Sequence, residues 1–219
     1  MYLFVRAGHS DTPAKSTPAK SAPTKSAPVK RNRAIKILGT LSIILILARI
    51  VYVMVVGESL LYELPLHLCS LAGIMCFVYS LTNIDFLGRT LYSICAPGAL
   101  LAMVFPNGNM YPPISFITIQ SYLFHLIIIL FVISILIDGR IRPSLRSTPA
   151  TIIFVALLSA CVYIFDRIFN VNYMFLNGPA GILPLEYLAK YMGNPGYLIG
   201  YFGAMVICII LMNIKNPRK

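Results

Sequence analysis

The chain has 219 residues, of which 58% are hydrophobic and only 11% are charged, and its formal net charge is +11 at pH 7. A soluble domain carries about 45–50% apolar and about 25% charged residues, so this composition excludes a water-soluble enzyme. Five cysteines lie within apolar stretches, without a CxxC or CxxH pair. The spacing therefore predicts neither a disulfide framework nor a zinc site, and we expect no metal and no cofactor.

The N-terminal segment is basic and rich in proline. Residues 1–36 carry eight Lys/Arg and one Asp, and the pentads KSTPA, KSAPT and KSAPV follow one another from residue 15. Proline at this density prevents a helix, and the pentads offer no apolar core. We predict a disordered cytoplasmic tail over residues 1–34 and a membrane domain over 35–219. The tail is either a tether whose charge sets the topology or a segment that docks on anionic lipid headgroups. Its charge does not indicate nucleic acid, because it adjoins a lipid-soluble body.

Six apolar segments are candidates for transmembrane helices, which need about 20 mainly apolar residues. They are residues 37–56, 64–82, 88–105, 113–137, 150–169 and 197–214. Pro97-Gly98 is expected to interrupt the third. With six crossings and the tail inside, 15 of the 18 Lys/Arg lie on the cytoplasmic side, as the positive-inside rule requires. We predict an all-α, six-helix, multi-pass protein of the cell membrane with both termini cytoplasmic.

One long loop, residues 170–196, follows the fifth predicted span on the outer side. Its middle is rich in Tyr and Leu, and the turn signals NGP and GNPG flank it. The pattern predicts a short interfacial helix or a lid, and a passive connector is the alternative.

Ionisable residues within the predicted spans are few, and such residues are costly in lipid and usually functional. They are Arg49, Glu63, His67, His125 and Asp166, with Gln120 as a neutral companion. All lie in the outer half or near the midplane of the predicted topology. We therefore expect a single site that opens to the outer side, with these residues around the substrate. In the alternative interpretation, Arg49 pairs with Glu63 or Asp166 and holds the bundle together.

The fourth span carries a polar stripe. Ser115, Thr118, Ser121, Tyr122 and His125 follow helical spacing, and we expect this face to point into the bundle.

In the second span, Pro65 suits the first turn of a helix. A helix that began there would place His67 and Cys69 about 200° apart, so that His67 could not activate the thiol directly. His125 is the natural partner for Cys69, because a nucleophilic thiol needs a base within hydrogen-bond reach. If the two helices start level, however, His125 lies about 12 Å deeper than Cys69. A packing role for Cys69 is the alternative.

The segments LPLHLCSLAGIM (64–75), PNGNMYPP (106–113) and IQSYLFHLIIIL (119–130) resemble the YwaF-type family of bacterial integral membrane proteins, which is related to the eukaryotic transmembrane protein 164 family. The resemblance covers about residues 37–214 and excludes the tail. The eukaryotic relatives are described as cysteine-dependent acyltransferases acting on phospholipids. The resemblance implies Cys69 as nucleophile, His125 as base and His67 as a residue that orients or binds the substrate.

The leading functional hypothesis is therefore a membrane-embedded acyltransferase or lipid-remodelling enzyme. Asn107, Asn109 or Gln120 is a candidate to bind the headgroup or the oxyanion. Ser121, Glu63, Arg49 and Asp166 are further expected substrate-binding residues. A non-enzymatic subunit for binding or transport of small solutes is the alternative, because an interrupted third span is typical of transporters. A metal site formed by His67, Cys69 and His125 is a third hypothesis, which requires the helix to unwind near Pro65.

Overall fold

The computed structural model describes residues 29–105, 112 and 114–214, with side chains from residue 33 onward. Over these ranges the chain forms helices and no strand. The α-helices are α1 (Val29–Val56), α2 (Leu68–Thr82), α3 (Asp85–Thr90), α4 (Ala96–Val104), α5 (Phe116–Ile137), α6 (Thr148–Phe169), α7 (Leu183–Met192) and α8 (Tyr197–Asn213). A π-helical segment, Leu91–Cys95, joins α3 to α4, and 3-10 turns form at Leu60–Tyr62, Leu145–Ser147 and Tyr173–Phe175.

Four helical stretches are long and apolar enough to cross a membrane, and they make the chain a membrane protein. They are Arg33–Val56, Asp85–Val104, Phe116–Ile137 and Leu145–Phe169. The predicted second and sixth spans correspond to α2 and α8, which are apolar but have only 15 and 17 residues. Over the described residues the structure thus has four helical stretches of full membrane-spanning length where the sequence predicts six spans. Most of the predicted tail, residues 1–28, lies outside the described residues, and α1 begins at Val29.

The third predicted span is not interrupted at Pro97, because the helix continues through it from Asp85 to Val104. Proline lacks an N–H group and cannot donate to the carbonyl four residues earlier, here that of Ser93. The π-helical segment Leu91–Cys95, just before Pro97, accommodates this missing hydrogen bond. The thiol of Cys208 in α8 approaches the Ser93 carbonyl at 3.9 Å, and Asn213 Nδ2 donates to Ser93 Oγ at 2.7 Å. The π-helical segment is therefore the part of this span that fastens α8.

The bundle packs α1 against α2 and α5, with α8 against the π-helical segment. Helices in lipid are held by close packing and polar contacts, since lipid is as apolar as their side chains. The α1–α2 contact shows both. A Cβ on Gly39 would lie 2.8 Å from Ser80 Oγ, so glycine permits the close approach. Ser42 Oγ, also in α1, donates to the Gly73 carbonyl of α2 at 2.8 Å.

The two ends of the bundle differ. We call the end that carries residues 57–67 and 170–196 the long-loop end, and the end that carries residues 83–84 and 138–147 the short-loop end. The main apolar core includes the fully buried Tyr79, Leu91, Ile128, Phe131 and Ile135. A smaller cluster around Val162, Val171 and Leu176 lies beneath the long loop.

Helix α2 starts later than its sequence predicts. Pro65 does not begin the helix. The chain stays irregular to His67, which is the N-cap with extended backbone (φ −67°, ψ 146°), and the helix begins at Leu68. Cys69 is therefore the second helical residue, and His67 lies outside the helix. The predicted angular separation of the two side chains on one regular helix is wrong for this reason.

The long loop has a defined structure. Asn172 Oδ1 accepts from the backbone N–H groups of Asn177 and Gly178 at 2.9 and 3.2 Å, and Asn172 Nδ2 donates to the Gly178 carbonyl at 2.9 Å. Such side-chain bonds to nearby backbone are typical of asparagine in turns. The structure then has a short helix, α7, within this loop, with Leu185 buried.

Candidate functional site

The structure brings Cys69 of α2 and His125 of α5 together. The Cys69 thiol and the His125 ring lie near enough for their side chains to interact electrostatically. Cys69 is partly exposed, whereas His125 is 8% exposed. His125 Nε2 has no partner at strict hydrogen-bond geometry among the described residues. The thiol and the imidazole are thus close to each other but not joined by a hydrogen bond of strict geometry.

The neighbours of His125 define which nitrogen carries the proton. Its Nδ1 lies 2.7 Å from the backbone carbonyl oxygen of Ser121, one turn earlier in α5. A carbonyl only accepts hydrogen bonds, so Nδ1 of the neutral ring carries the hydrogen and Nε2 holds a lone pair. The ring is consequently oriented with its basic nitrogen available to a thiol. Ser121 contributes through its backbone rather than through the hydroxyl that the sequence singled out.

The pairing depends on the late start of α2. His125 is the tenth residue of α5, about 13.5 Å from its first residue, while Cys69 is about 1.5 Å from the start of α2. The two residues meet because α2 begins about 12 Å deeper in the bundle than α5. The irregular segment 57–67 spans this depth. The sequence suggested that His125 lies about 12 Å deeper than Cys69. The later and deeper start of α2 removes this difference in depth.

The start of α2 also supplies backbone donors to the thiol. The first N–H groups of a helix have no intrahelical acceptor, and together they carry a partial positive charge. Cys69 is within this first turn, and the Ser70 N–H lies near its sulfur. Backbone N–H groups in such a position stabilise negative charge, on a thiolate or on an oxyanion next to it.

Arg49 forms a polar network with Glu63 and Gln120. It binds Glu63 in a bidentate ion pair, with Nε–Oε2 and Nη2–Oε1 distances of 2.5 and 3.0 Å. Arg49 Nη1 also lies 3.4 Å from Gln120 Oε1, and Gln120 Nε2 donates to the Leu45 carbonyl at 3.0 Å. The network ties α1, the irregular segment and α5 together. The structure thus has the Arg49–Glu63 pair that the sequence offered as an alternative, and the Arg49 charge acts on Cys69 and on both histidines.

His67 lies beneath the long loop. Its Nδ1 accepts a hydrogen bond from the Met174 backbone N–H at 3.2 Å, so Nε2 carries the hydrogen in the neutral ring. The ring contacts Tyr173 edge-on at a centroid distance of 5.0 Å and Phe175 at 5.7 Å. His67 therefore connects the start of α2 to the loop above it.

Tyr173 and Asp166 fasten that loop. Tyr173 Oη donates to the Leu61 carbonyl at 2.6 Å and accepts from the Leu64 N–H at 2.9 Å. Burial raises the pKa of Tyr173, which keeps the hydroxyl protonated and able to donate. Asp166 is fully buried, and its Oδ1 accepts from the Tyr173 N–H at 3.0 Å. The structure thus uses Asp166 to hold the loop. Sequence reasoning missed Tyr173, for which the turn signals around it were the only available indication.

The predicted polar stripe of α5 is only partly internal. Ser115 is the N-cap and accepts from the Thr118 N–H at 3.2 Å, and Thr118 Oγ1 donates to the Pro112 carbonyl at 3.1 Å. Tyr122 is 39% exposed, on the side of the helix away from the core. These three residues cap or cover α5 and do not line the site. Gln120, outside the predicted stripe, is buried instead. Asn107 lies outside the described residues.

No group of three or more His, Cys, Asp or Glu side chains is arranged to hold a metal ion in the described part of the chain. The unwinding near Pro65 that a metal site would require is present, but His67 uses its Nδ1 for the loop backbone. The geometry therefore gives the metal hypothesis no support from this set of residues.

The model of the TMEM164 family matches residues 3–213, nearly the whole chain and including most of the basic tail. The similarity is thus longer than the resemblance read from residues 37–214. No curated protein matches the chain. No solved structure matches it either.

Proposed function

We propose that this chain, which belongs to the TMEM164 family, is a membrane-embedded, cysteine-dependent acyltransferase or lipid-remodelling enzyme that acts on phospholipids. Cys69 is the nucleophile and His125 is the general base. The observation that carries the proposal is the placement of the Cys69 thiol beside a histidine ring whose other nitrogen is bound to the Ser121 carbonyl. A thiol, a base and a group that orients the base form the arrangement that nucleophilic catalysis needs.

In the first half-reaction, His125 Nε2 takes the proton of the Cys69 thiol. The thiolate attacks the carbonyl carbon of a phospholipid ester and forms a tetrahedral oxyanion. When the C–O bond breaks, the acyl group remains on sulfur as a thioester. The released lysophospholipid oxygen takes the proton from His125. The backbone N–H groups at the start of α2 are the donors closest to the oxyanion.

In the second half-reaction, a hydroxyl group of an acceptor lipid attacks the thioester. His125 takes the hydroxyl proton, the C–S bond breaks, and the sulfur leaves as a thiolate. The proton then returns to it from His125, so that the thiol is restored and the acyl group is bound to the acceptor as an ester. Both half-reactions use the same base and the same oxyanion donors.

The remaining predicted site residues have supporting roles in this proposal. His67 donates from Nε2 to a substrate oxygen, since its Nδ1 is bound to the loop. The Arg49–Glu63–Gln120 network presents a positive group toward the phosphate of the lipid headgroup. Roles of Asn107 and of the Ser121 hydroxyl in headgroup binding stay predictions from the sequence. Asp166 acts through the loop that it holds.

The proposal includes a topology. The long-loop end faces the outside of the cell membrane, and both termini lie in the cytoplasm, where the basic tail binds anionic lipid headgroups. The shorter helices α2 and α8 complete six crossings, since the irregular residues before α2 and α7 before α8 supply additional length at the same end. The chain represents the bacterial, YwaF-type branch.

The test compares matched cysteine variants in vesicles that contain a phospholipid labelled in its acyl chain. Cys69→Ala removes the nucleophile and should abolish transfer to a lysophospholipid acceptor. Cys76→Ala is the control, because Cys76 is in the same helix but fully buried in the apolar core. Equal transfer by wild type and Cys69→Ala, or equal loss in both variants, contradicts the proposal.

A further inference from the structure

A groove lies between α6 and α8 beneath the long loop. Its volume is ≈ 190 Å³. Apolar side chains form most of the lining, with Ala156 and Ala160 from α6, Leu176 from the loop, and Leu198 and Phe202 from α8. Both alanines are exposed on the outside of the bundle. Since α6 belongs to a membrane-spanning stretch, the mouth of the groove opens toward lipid.

The floor of the groove contains an unsatisfied donor. Ser159 is 1% exposed and lines the groove, and its hydroxyl has no hydrogen-bond partner among the described residues. A serine within a helix usually donates to the carbonyl four residues earlier. A buried hydroxyl without a partner costs about 1–3 kcal/mol, so a ligand that accepts its hydrogen bond is favoured at this position.

The groove and Cys69 share packing neighbours. Phe202 of its wall and Leu68, the residue before Cys69, both pack against the smaller cluster beneath the long loop. Both sites lie on helices that begin or end at the long-loop end. Ser159 lies about 15 Å from the last residue of α6, and His125 lies about 13.5 Å from the first residue of α5 at the same end of the bundle.

We propose that this groove holds a hydrocarbon chain of the phospholipid substrate, and that Ser159 donates a hydrogen bond to an ester oxygen of the same lipid. This assignment of the chain to the substrate rests on the proposed acyl transfer. A cavity of about 150 Å³ accommodates a benzene molecule, so this groove takes a chain segment of slightly more than about six carbon atoms. From Ala156 to Tyr163 it runs about 10 Å along α6, which suits a chain rather than a headgroup.

The occupant follows from the surroundings. The groove opens where acyl chains of the bilayer lie, its lining is mostly apolar, and its wall residue Phe202 packs against the same cluster as Leu68, the residue before Cys69. A helix of a second copy is the competing occupant, since small residues four positions apart also favour helix contacts in membranes. The experiment separates the two.

The probe is a phosphatidylcholine with a photoreactive diazirine in one acyl chain, mixed into vesicles with the full-length protein. We expect cross-links on α6 and α8 at the groove. Ala160→Leu fills the mouth and should reduce this labelling at least fivefold. Ala204→Leu adds the same volume at an exposed position of α8 outside the groove lining and should leave it unchanged. Ser159→Ala should reduce labelling about three- to tenfold.

Labelling spread evenly over the lipid-facing side of the helices, or unaffected by Ala160→Leu, overturns the inference. So does a change from dimer to monomer in Ala160→Leu without groove labelling in wild type, because it assigns the groove to a second copy.

The Cys69→Ala variant keeps the two proposals distinct. Chain binding does not need the thiol, so groove labelling should persist in it. Wild-type labelling without acyl transfer would contradict the enzyme and leave the lipid site standing.

Discussion

The long-loop and short-loop halves of the bundle use the same residue type in different surroundings. Cys76 and Cys95 lie in the apolar core toward the short-loop end, where they are 0% and 2% exposed and pack among aliphatic and aromatic side chains. Cys69, two turns from Cys76 on the same helix, is partly exposed and lies beside His125. The position of the helix start makes this difference, because it places Cys69 among free backbone N–H groups.

The polar contacts of the two halves differ in the same way. At the short-loop end, Asn213 donates to Ser93 and to the Ile209 carbonyl and accepts from the Ser144 N–H, which ties helix ends together. At the long-loop end, the polar contacts hold irregular backbone around a thiol and two histidines. We conclude that the short-loop half stabilises the bundle and that the long-loop half positions reactive groups. Substitutions in the two halves should therefore have different consequences.

The largest expected effect is that of His125→Ala. General bases contribute about 10²- to 10⁴-fold to rate, so kcat for acyl transfer should fall by that factor. Truncating a buried polar side chain to alanine also affects stability. His125→Gln is therefore the companion variant, because it keeps a polar side chain of similar size. Both should retain the thermal midpoint of the wild type within a few degrees while losing activity. Activity near the wild-type level in either variant removes His125 from the mechanism.

Next in size is the ion pair of Arg49 with Glu63. Their side chains are 28% and 12% exposed. Glu63→Ala leaves the Arg49 guanidinium without its carboxylate, and we expect a loss of about 1–3 kcal/mol in the free energy of unfolding. Thermal unfolding in detergent micelles measures it. The double variant Arg49→Leu/Glu63→Leu removes both charges and should recover much of this stability but not the activity. Full activity of the double variant would make the pair purely structural.

A smaller effect is expected for Tyr173→Phe. The substitution removes one hydroxyl that holds the segment before α2 through Leu61 and Leu64. We expect a loss of about 1–2 kcal/mol. Activity should also fall, because fewer hydrogen bonds then hold the segment before α2 in place. Tyr187→Phe is the control, since Tyr187 is 59% exposed on α7. If both variants behave alike, the tyrosine does not fasten the loop.

The smallest effect is expected in the short-loop half. Ser93→Ala removes the hydroxyl that accepts from Asn213 and should lower stability by about 0.6–1.5 kcal/mol. Its kcat at temperatures well below the unfolding midpoint should equal that of wild type. Ser134→Ala, which loses only a bond to the Leu130 carbonyl of its own helix, is the reference for stability. A selective loss of activity in Ser93→Ala would break the division between the two halves.

The sequence predicted the helical fold and most of the residues near the site, for identifiable reasons. Long apolar runs predict helices because lipid leaves few alternatives to the backbone, and scarce ionisable residues in those runs mark polar sites. Arg49, Glu63, His67 and His125 were found in this way. The long loop's turn signals indicated that it has structure, and α7 is present there.

What the sequence did not predict depends on where helices start and on contacts distant in the chain. Pro65 is compatible with a helix start, yet tertiary contacts through Tyr173 and Met174 hold the chain irregular up to His67. The depth of Cys69 follows from this start and could not be read from spacing. Likewise Ser115 and Thr118 fit a polar stripe by spacing, but they serve as caps because α5 begins at Phe116.

The most direct test of the central claim is detection of the thioester on Cys69. Protein in vesicles is incubated with phospholipid without an acceptor, digested and analysed by mass spectrometry. We predict an acyl adduct on the peptide that contains Cys69, removable by neutral hydroxylamine and strongly reduced in His125→Ala. Cys161 serves as an internal control because it is exposed and has no assigned role. Absence of an adduct on Cys69 during active transfer, or equal acylation of Cys161, would contradict the account.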